Sequence, residues 1–103
     1  MFEDRPIYPV HPGDVLAEEL EVRGLTGADL ARALHVPANR IYQLLAGKRS
    51  MTADTAVRLQ KWLGVEAEFW LALQAQYELD VIRRDSSVKL LDEIVPIQTV
   101  AAA

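Results

Sequence analysis

Glycine and proline punctuate this chain so closely that only short helices fit between them. Pro12, Gly24, Pro37, Gly47 and Gly64 follow one another through its first two thirds. Proline suits the first helical position, where its missing N–H loses no partner, and glycine accepts the left-handed residue that closes a helix. Between these marks apolar residues recur at three- and four-residue spacing, with none of the alternation that a half-buried strand needs. The pattern predicts five helices. The first opens at Pro12, carries Leu16 and Leu20, and closes at Gly24. Thr26 and Asp29 form a shortened capping box for the second, which carries Leu30, Ala31 and Leu34. Pro37 opens the third, lined by Ile41, Leu44 and Leu45 as far as Gly47. Thr52 caps the fourth, where Ala56, Leu59 and Leu63 recur up to Gly64. The fifth runs from near Ala67 to about Arg84. The prolines among residues 1–11 predict an extended start. After a turn at Asp85-Ser86-Ser87, Val88, Leu91 and Val95 either line a short last helix or give way to an extended apolar arm, Ile94-Val95-Pro96-Ile97.

Composition removes several classes of function. There is no cysteine, which excludes a disulfide framework, a Cys-type zinc site and thiol chemistry. No apolar run approaches a membrane span, and the acidic start from Met1 to Pro6 lacks a signal peptide's basic and apolar regions. A cytoplasmic domain with no membrane partner is expected. The net charge of −4 argues weakly against a nucleic-acid partner, but its distribution argues for one. Residues 1–22 carry −5, residues 23–61 carry +5 and residues 62–103 carry −4. A basic middle between acidic ends suits a small DNA reader with other contacts at its termini. A solvated basic face with no partner is the plainer reading of the same charges.

The segment from Asp29 to Lys48 separates the two. Two helices crossing steeply through a short turn need a small residue where the second rides over the first, and Ala31 stands there. They also need apolar groups that pin the corner, supplied by Leu30, Leu34, Val36, Ile41 and Leu44. Together with Gly47-Lys48-Arg49 this is the spacing of a DNA-binding helix-turn-helix. The fold expected is all-α: a five-helix domain spanning residues 1–103, with a helix-turn-helix core over about 12–82 and a short C-terminal extension, 83–103.

These stretches also resemble a known family. His11-Pro12-Gly13 with Leu16 to Leu20, Leu30-Ala31-Arg32-Ala33-Leu34, Val36-Pro37 with Asn39-Arg40-Ile41, Thr52-Ala53-Asp54-Thr55-Ala56 and Glu68-Phe69-Trp70-Leu71 look like a HigA-type (VapI-like) antitoxin. That family is a branch of the lambda-repressor-like, or XRE, helix-turn-helix proteins. The resemblance covers about residues 9–82. It implies a dimeric repressor of its own operon that binds double-stranded operator DNA and neutralises a HigB-like ribonuclease toxin. Two positions depart from the pattern. His35 stands where the turn usually has glycine, and positive φ costs histidine more. Gly27 stands at the start of the second helix, where glutamine is a common phosphate ligand; its backbone N–H remains available there.

In this fold the start of the third helix enters the major groove. With Ile41 and Leu44 turned inward, Ala38, Asn39, Tyr42 and Gln43 turn outward. Asn39 and Gln43 are each able to pair with an adenine edge, and Ala38 with a thymine methyl. Arg40 is placed to reach a phosphate or a guanine. Lys48 and Arg49 belong on the phosphate backbone, and Thr26 and Gly27 at the start of the second helix complete the expected DNA surface. Tyr42 has a plainer alternative, partial burial against a neighbouring helix.

The fifth helix is apolar on two faces. Phe69, Trp70, Leu73, Tyr77 and Val81 make one stripe, expected in the core; Leu71, Ala75, Leu79 and Ile82 make another, expected in a two-fold homodimer. The alternative is that residues 88–95 fold back over the second stripe. A toxin contact is expected at the acidic N-terminal region, with Ile7, Tyr8, Glu18 and Glu21. No acid–base pair in a cleft, metal-ligand cluster or phosphate loop stands out, so neither catalysis nor a cofactor is expected. The rival readings are a stand-alone XRE-type regulator without a toxin, and a helical protein-binding adaptor that has lost DNA binding.

Overall fold

In the computed structural model, which describes residues 8–85 and 91–98, the five helices are α1 (Pro12–Arg23), α2 (Gly27–Leu34), α3 (Ala38–Leu45), α4 (Ala53–Leu63) and α5 (Ala67–Arg84). No strand occurs among the described residues. His11 caps α1 with its imidazole: Nδ1 accepts from the Gly13 N–H at 2.9 Å, while the Asp14 carboxylate accepts from the His11 N–H. Thr26 and Asp29 make the anticipated reciprocal cap on α2, and the Thr52 hydroxyl caps α4. Gly24 and Gly64 close α1 and α4 in left-handed conformation.

Two boundaries differ from the sequence reading. Pro37 is the N-cap of α3, with ψ of 139°, so the helix proper begins one residue later. At the other end α3 stops at Leu45 with Ala46 as its cap, and Gly47 takes the positive φ just beyond. His35 closes α2 at φ 58°, the only non-glycine residue with positive φ among those described.

Leu16, Leu30, Ile41, Leu44, Leu59 and Trp70 are buried together, with Ala31, Leu34, Met51 and Ala56 between them. Truncating any of the large aliphatic groups to alanine costs about 2–5 kcal/mol by loss of transfer energy and opening of a cavity. Within this core α3 is sandwiched between α1 and α2, α4 packs on α2, and α5 closes the bundle against α4 and α1. The approach of α1 to α3 depends on Gly13. A β-carbon there would lie 2.0 Å from the Leu44 carbonyl oxygen, so only glycine lets the first turn of α1 rest on the α3 backbone.

On α5 the core side is Ala67, Trp70 and Gln74, with Leu71, Leu73 and Tyr77 half-buried. Phe69 and Val81, expected in the core, are instead exposed, because the helix turns the face through 67, 70 and 74 inward. Leu71 packs on the chain's own core, leaving Ala75, Leu79 and Ile82 as the exposed apolar stripe. Leu91 to Glu93 form one turn of 3₁₀ helix, and Ile94 to Ile97 run on without regular structure, their apolar side chains exposed. Ile7 and residues 86–90 lie outside the described residues. No helix among the described residues is long and apolar enough to cross a membrane.

Candidate nucleic-acid interface

The corner is built from Ala31 outward. Its carbonyl accepts the Val36 N–H at 3.0 Å, which folds the chain back after His35 and sets α3 across α2. Ile41 and Leu44 then face inward, 0% and 1% exposed, and the opposite face of α3 is left to solvent. Ala38, Asn39 and Tyr42 lie on that face, exposed, and Gln43 is half-buried beside them.

Tyr42 and Gly27 belong together. A β-carbon on Gly27 would come within 2.9 Å of the Tyr42 ring, so the ring rests over the start of α2 while keeping half its surface open. Gly27 itself is buried. Glycine at this departure from the family pattern therefore has a packing reason: it makes room for the tyrosine.

Arg40 differs most from its expected place. Its guanidinium is ion-paired with Asp54 and donates to the Thr55 hydroxyl at 3.0 Å, so it ties α3 to the first turn of α4. Asp54 also accepts from Arg58 at 3.0 Å, and Arg58 in turn donates to the Leu34 carbonyl at 2.7 Å, satisfying the end of α2. Hydrogen bonds from Arg40 and then Arg58 hold the Asp54 carboxyl below the usual carboxylate range. The backbone N–H and then the side chain of Thr26, with Arg32 adding its charge, do the same for Asp29.

These pairings thin out the basic middle of the chain. Arg23, Arg32, Arg40 and Arg58 each have a carboxylate partner. Lys48, Arg49 and Lys61 have none among the described residues; Lys61 lies exposed on α4, and Lys48 and Arg49 are exposed immediately after α3. The Lys48 N–H returns to the Gln43 carbonyl at 2.9 Å, wrapping residues 46–49 around the helix end. Arg49 thereby reaches back along α3, its Nε and Nη2 donating to Gln43 Oε1 at 3.1 and 3.0 Å. The loop is anchored from below by Gln74 of α5, whose Oε1 accepts the Met51 N–H at 2.8 Å.

Sequence reasoning overlooked Asp54, Arg58 and Gln74. A polar residue one turn beyond Trp70, on the inward stripe of α5, was the signal for Gln74. Nothing local marks the pairing of Arg40 with Asp54. At the N-terminal side Tyr8, Glu18 and Glu21 are exposed, and the Arg84 guanidinium lies 5.9 Å from the Tyr8 ring centre. The Ala75, Leu79 and Ile82 stripe lies on α5, with Phe69 near its start.

Residues 16–70 match the family model described as Helix-turn-helix. Virulence-associated protein I of Dichelobacter nodosus is 40% identical over 91 residues, covering 87% of this chain and 82% of that protein. An addiction module antidote protein of the HigA family from Coxiella burnetii superposes with a TM-score of 0.79 at 43% identity, covering 86% of this chain and 98% of its own. The Pseudomonas aeruginosa antitoxin HigA, solved with the higBA promoter, gives 0.81 at 34% identity over 88% of this chain and all of its own. With the five-helix order, the capped corner and the His-Pro-Gly start all in place, the chain belongs to the HigA-type, VapI-like branch of the XRE helix-turn-helix family.

Proposed function

We propose that the protein is a dimeric antitoxin that binds operator DNA through α3, represses its own operon and neutralises a HigB-like ribonuclease. The observation that carries the reading is the outward face of α3, where Ala38, Asn39, Tyr42 and Gln43 stand beside the carboxylate-free cations Lys48 and Arg49. Exposed amide groups on a groove-sized helix supply base contacts, and the adjoining cations supply sequence-independent attraction to phosphate. The likeness to an antitoxin solved on promoter DNA supports placing those contacts here.

Ala75, Leu79 and Ile82 give α5 an apolar face for a second copy of the chain. Glu18 and Glu21 on α1, with Tyr8, offer an acidic surface to a basic ribonuclease and leave that α5 face free. The test has two arms. Binding to the DNA upstream of the chain's own gene is compared with a scrambled duplex at one salt concentration; equal affinity removes specific operator binding. The protein encoded by the neighbouring gene is then titrated with the parent, with a variant lacking residues 1–9, and with Glu18→Lys/Glu21→Lys. Unimpaired inhibition by both variants places the toxin contact elsewhere, and a neighbour with no ribonuclease activity favours a stand-alone regulator.

A further inference from the structure

We propose that Arg49 is a positioning residue that turns the Gln43 carboxamide so that its NH2 group, and not its oxygen, reads the major groove, which selects guanine over adenine. The inference rests on the DNA-binding reading above and specifies one base contact within it.

A carboxamide oxygen has two lone pairs. Arg49 Nε and Nη2 both donate to it from the same side, so the guanidinium edge covers that side of the oxygen and sets a positive charge against any further donor approaching it. The half-burial of Gln43 and the bond from the Lys48 N–H to its backbone carbonyl limit how far either side chain swings away. An unrestrained glutamine pairs with adenine by accepting from N6–H2 and donating to N7. With its oxygen held against a cation, Gln43 turns its two N–H donors outward. Adenine then offers it one acceptor and one opposed donor, whereas guanine offers two acceptors, N7 and O6. Adenine is penalised and guanine matched by the same geometry. Arg49 retains its Nη1 group and its full charge for the phosphate backbone, so one side chain serves both anchoring and orientation.

The experiment selects duplexes with the parent protein from a random library of about 30 base pairs, long enough for two half-sites one helical turn apart. Each base pair of the selected site is then replaced in turn, and affinities are measured for the parent, Arg49→Lys and Gln43→Ala. Gln43→Ala identifies the base pair that Gln43 reads, as the one whose replacement no longer matters. At that pair the parent is expected to prefer guanine over adenine roughly tenfold. Arg49→Lys keeps the charge but not the fork, so the salt dependence stays and the preference falls to about twofold or less, or moves to adenine. A parent preference for adenine, or an unaltered guanine preference in Arg49→Lys, overturns the assignment while leaving DNA binding intact. Failure of the parent to enrich any duplex instead overturns the DNA-binding reading, and this inference with it.

Discussion

Replacing Gly13 by alanine tests the contact that seats the reading helix. The added β-carbon would stand 2.0 Å from the Leu44 carbonyl oxygen and 2.9 Å from its carbon, whereas real β-carbons essentially never approach closer than 3.0 Å. Relief requires α1 and α3 to separate by about 1 Å, and the obstacle is backbone on a helix whose neighbours Ile41 and Leu44 are fully packed. Overpacking of this kind costs about 1–3 kcal/mol, and more where no side chain is able to yield. Alanine's better helix propensity returns at most about 1 kcal/mol. The expected net loss is about 2 kcal/mol, or roughly a 10 °C fall in Tm for a domain of this size. Urea unfolding followed by circular dichroism measures it, with Gly27→Ala as the comparison. There the nearest atom is the edge of the Tyr42 ring at 2.9 Å, a side chain free to swing outward, so the loss should stay within about 0.5 kcal/mol. A Gly13→Ala variant as stable as the parent refutes the claim that α1 rests on the α3 backbone.

The other expectations concern the surface. Asn39→Ala should weaken binding to the selected site by about 1–3 kcal/mol and spare scrambled DNA; equal losses on both show that it reads no base. Lys48→Ala should lower affinity on every duplex and flatten the slope of log K against log salt by about one, and an unchanged slope removes it from the phosphate contacts. Leu79→Asp/Ile82→Asp should convert a dimer to a monomer in sedimentation at tens of micromolar, which fails if the parent is already monomeric there. Asp29 and Asp54 have folded pKa values below the ordinary one, so their contribution is complete above about pH 4 and is lost as pH falls through the folded values. Stability should therefore be level from neutral pH to about pH 5 and decline below about 4, with a shallower decline in Asp54→Asn; an identical acid profile in that variant dismisses the Asp54 pairing.

Helix ends were legible in the sequence because capping is local chemistry. Thr26 with Asp29, Thr52, Gly24 and Gly64 each act within four residues of themselves, and each lies where the pattern put it. The small residue at Ala31 was legible for the same reason, since the corner it serves is one turn long. The pairing of Arg40 was missed because its partner, Asp54, is fourteen residues away, and nothing local marks an arginine on α3 as drawn to α4. The division of α5 was half legible. Periodicity gave two apolar stripes, but their assignment to core or surface depends on the angle at which the helix lands, which Trp70 and Gln74 decide. His-Pro-Gly was recognised as a pattern, while its reason, the closeness of Gly13 to Leu44, belongs to tertiary packing alone.

The long-range ties that sequence reasoning missed converge on α3 and the loop after it. Gly13 admits α1 to the end of the helix, Arg40 fastens the middle to Asp54, and Gln74 holds Met51 at the close of the Lys48–Arg49 loop. Arg40 is engaged in this bracing, sharing the Asp54 carboxylate with Arg58, and the cations of the basic middle without a carboxylate partner among the described residues are Lys48 and Arg49 beside α3 and Lys61 on α4. That distribution has a consequence for a chain of net charge −4. On the proposed reading, attraction to DNA cannot come from the whole molecule, because its acidic ends repel phosphate; it depends on cations such as Lys48 and Arg49 at close range, within about a Debye length of 8–10 Å. A reader built this way gains little from long-range attraction and depends on the docked fit of α3. Bracing α3 through Gly13 and Arg40, and its following loop through Gln74, preserves that proposed fit, since a misplacement of the helix would cost base contacts that residual charge is too weak to replace.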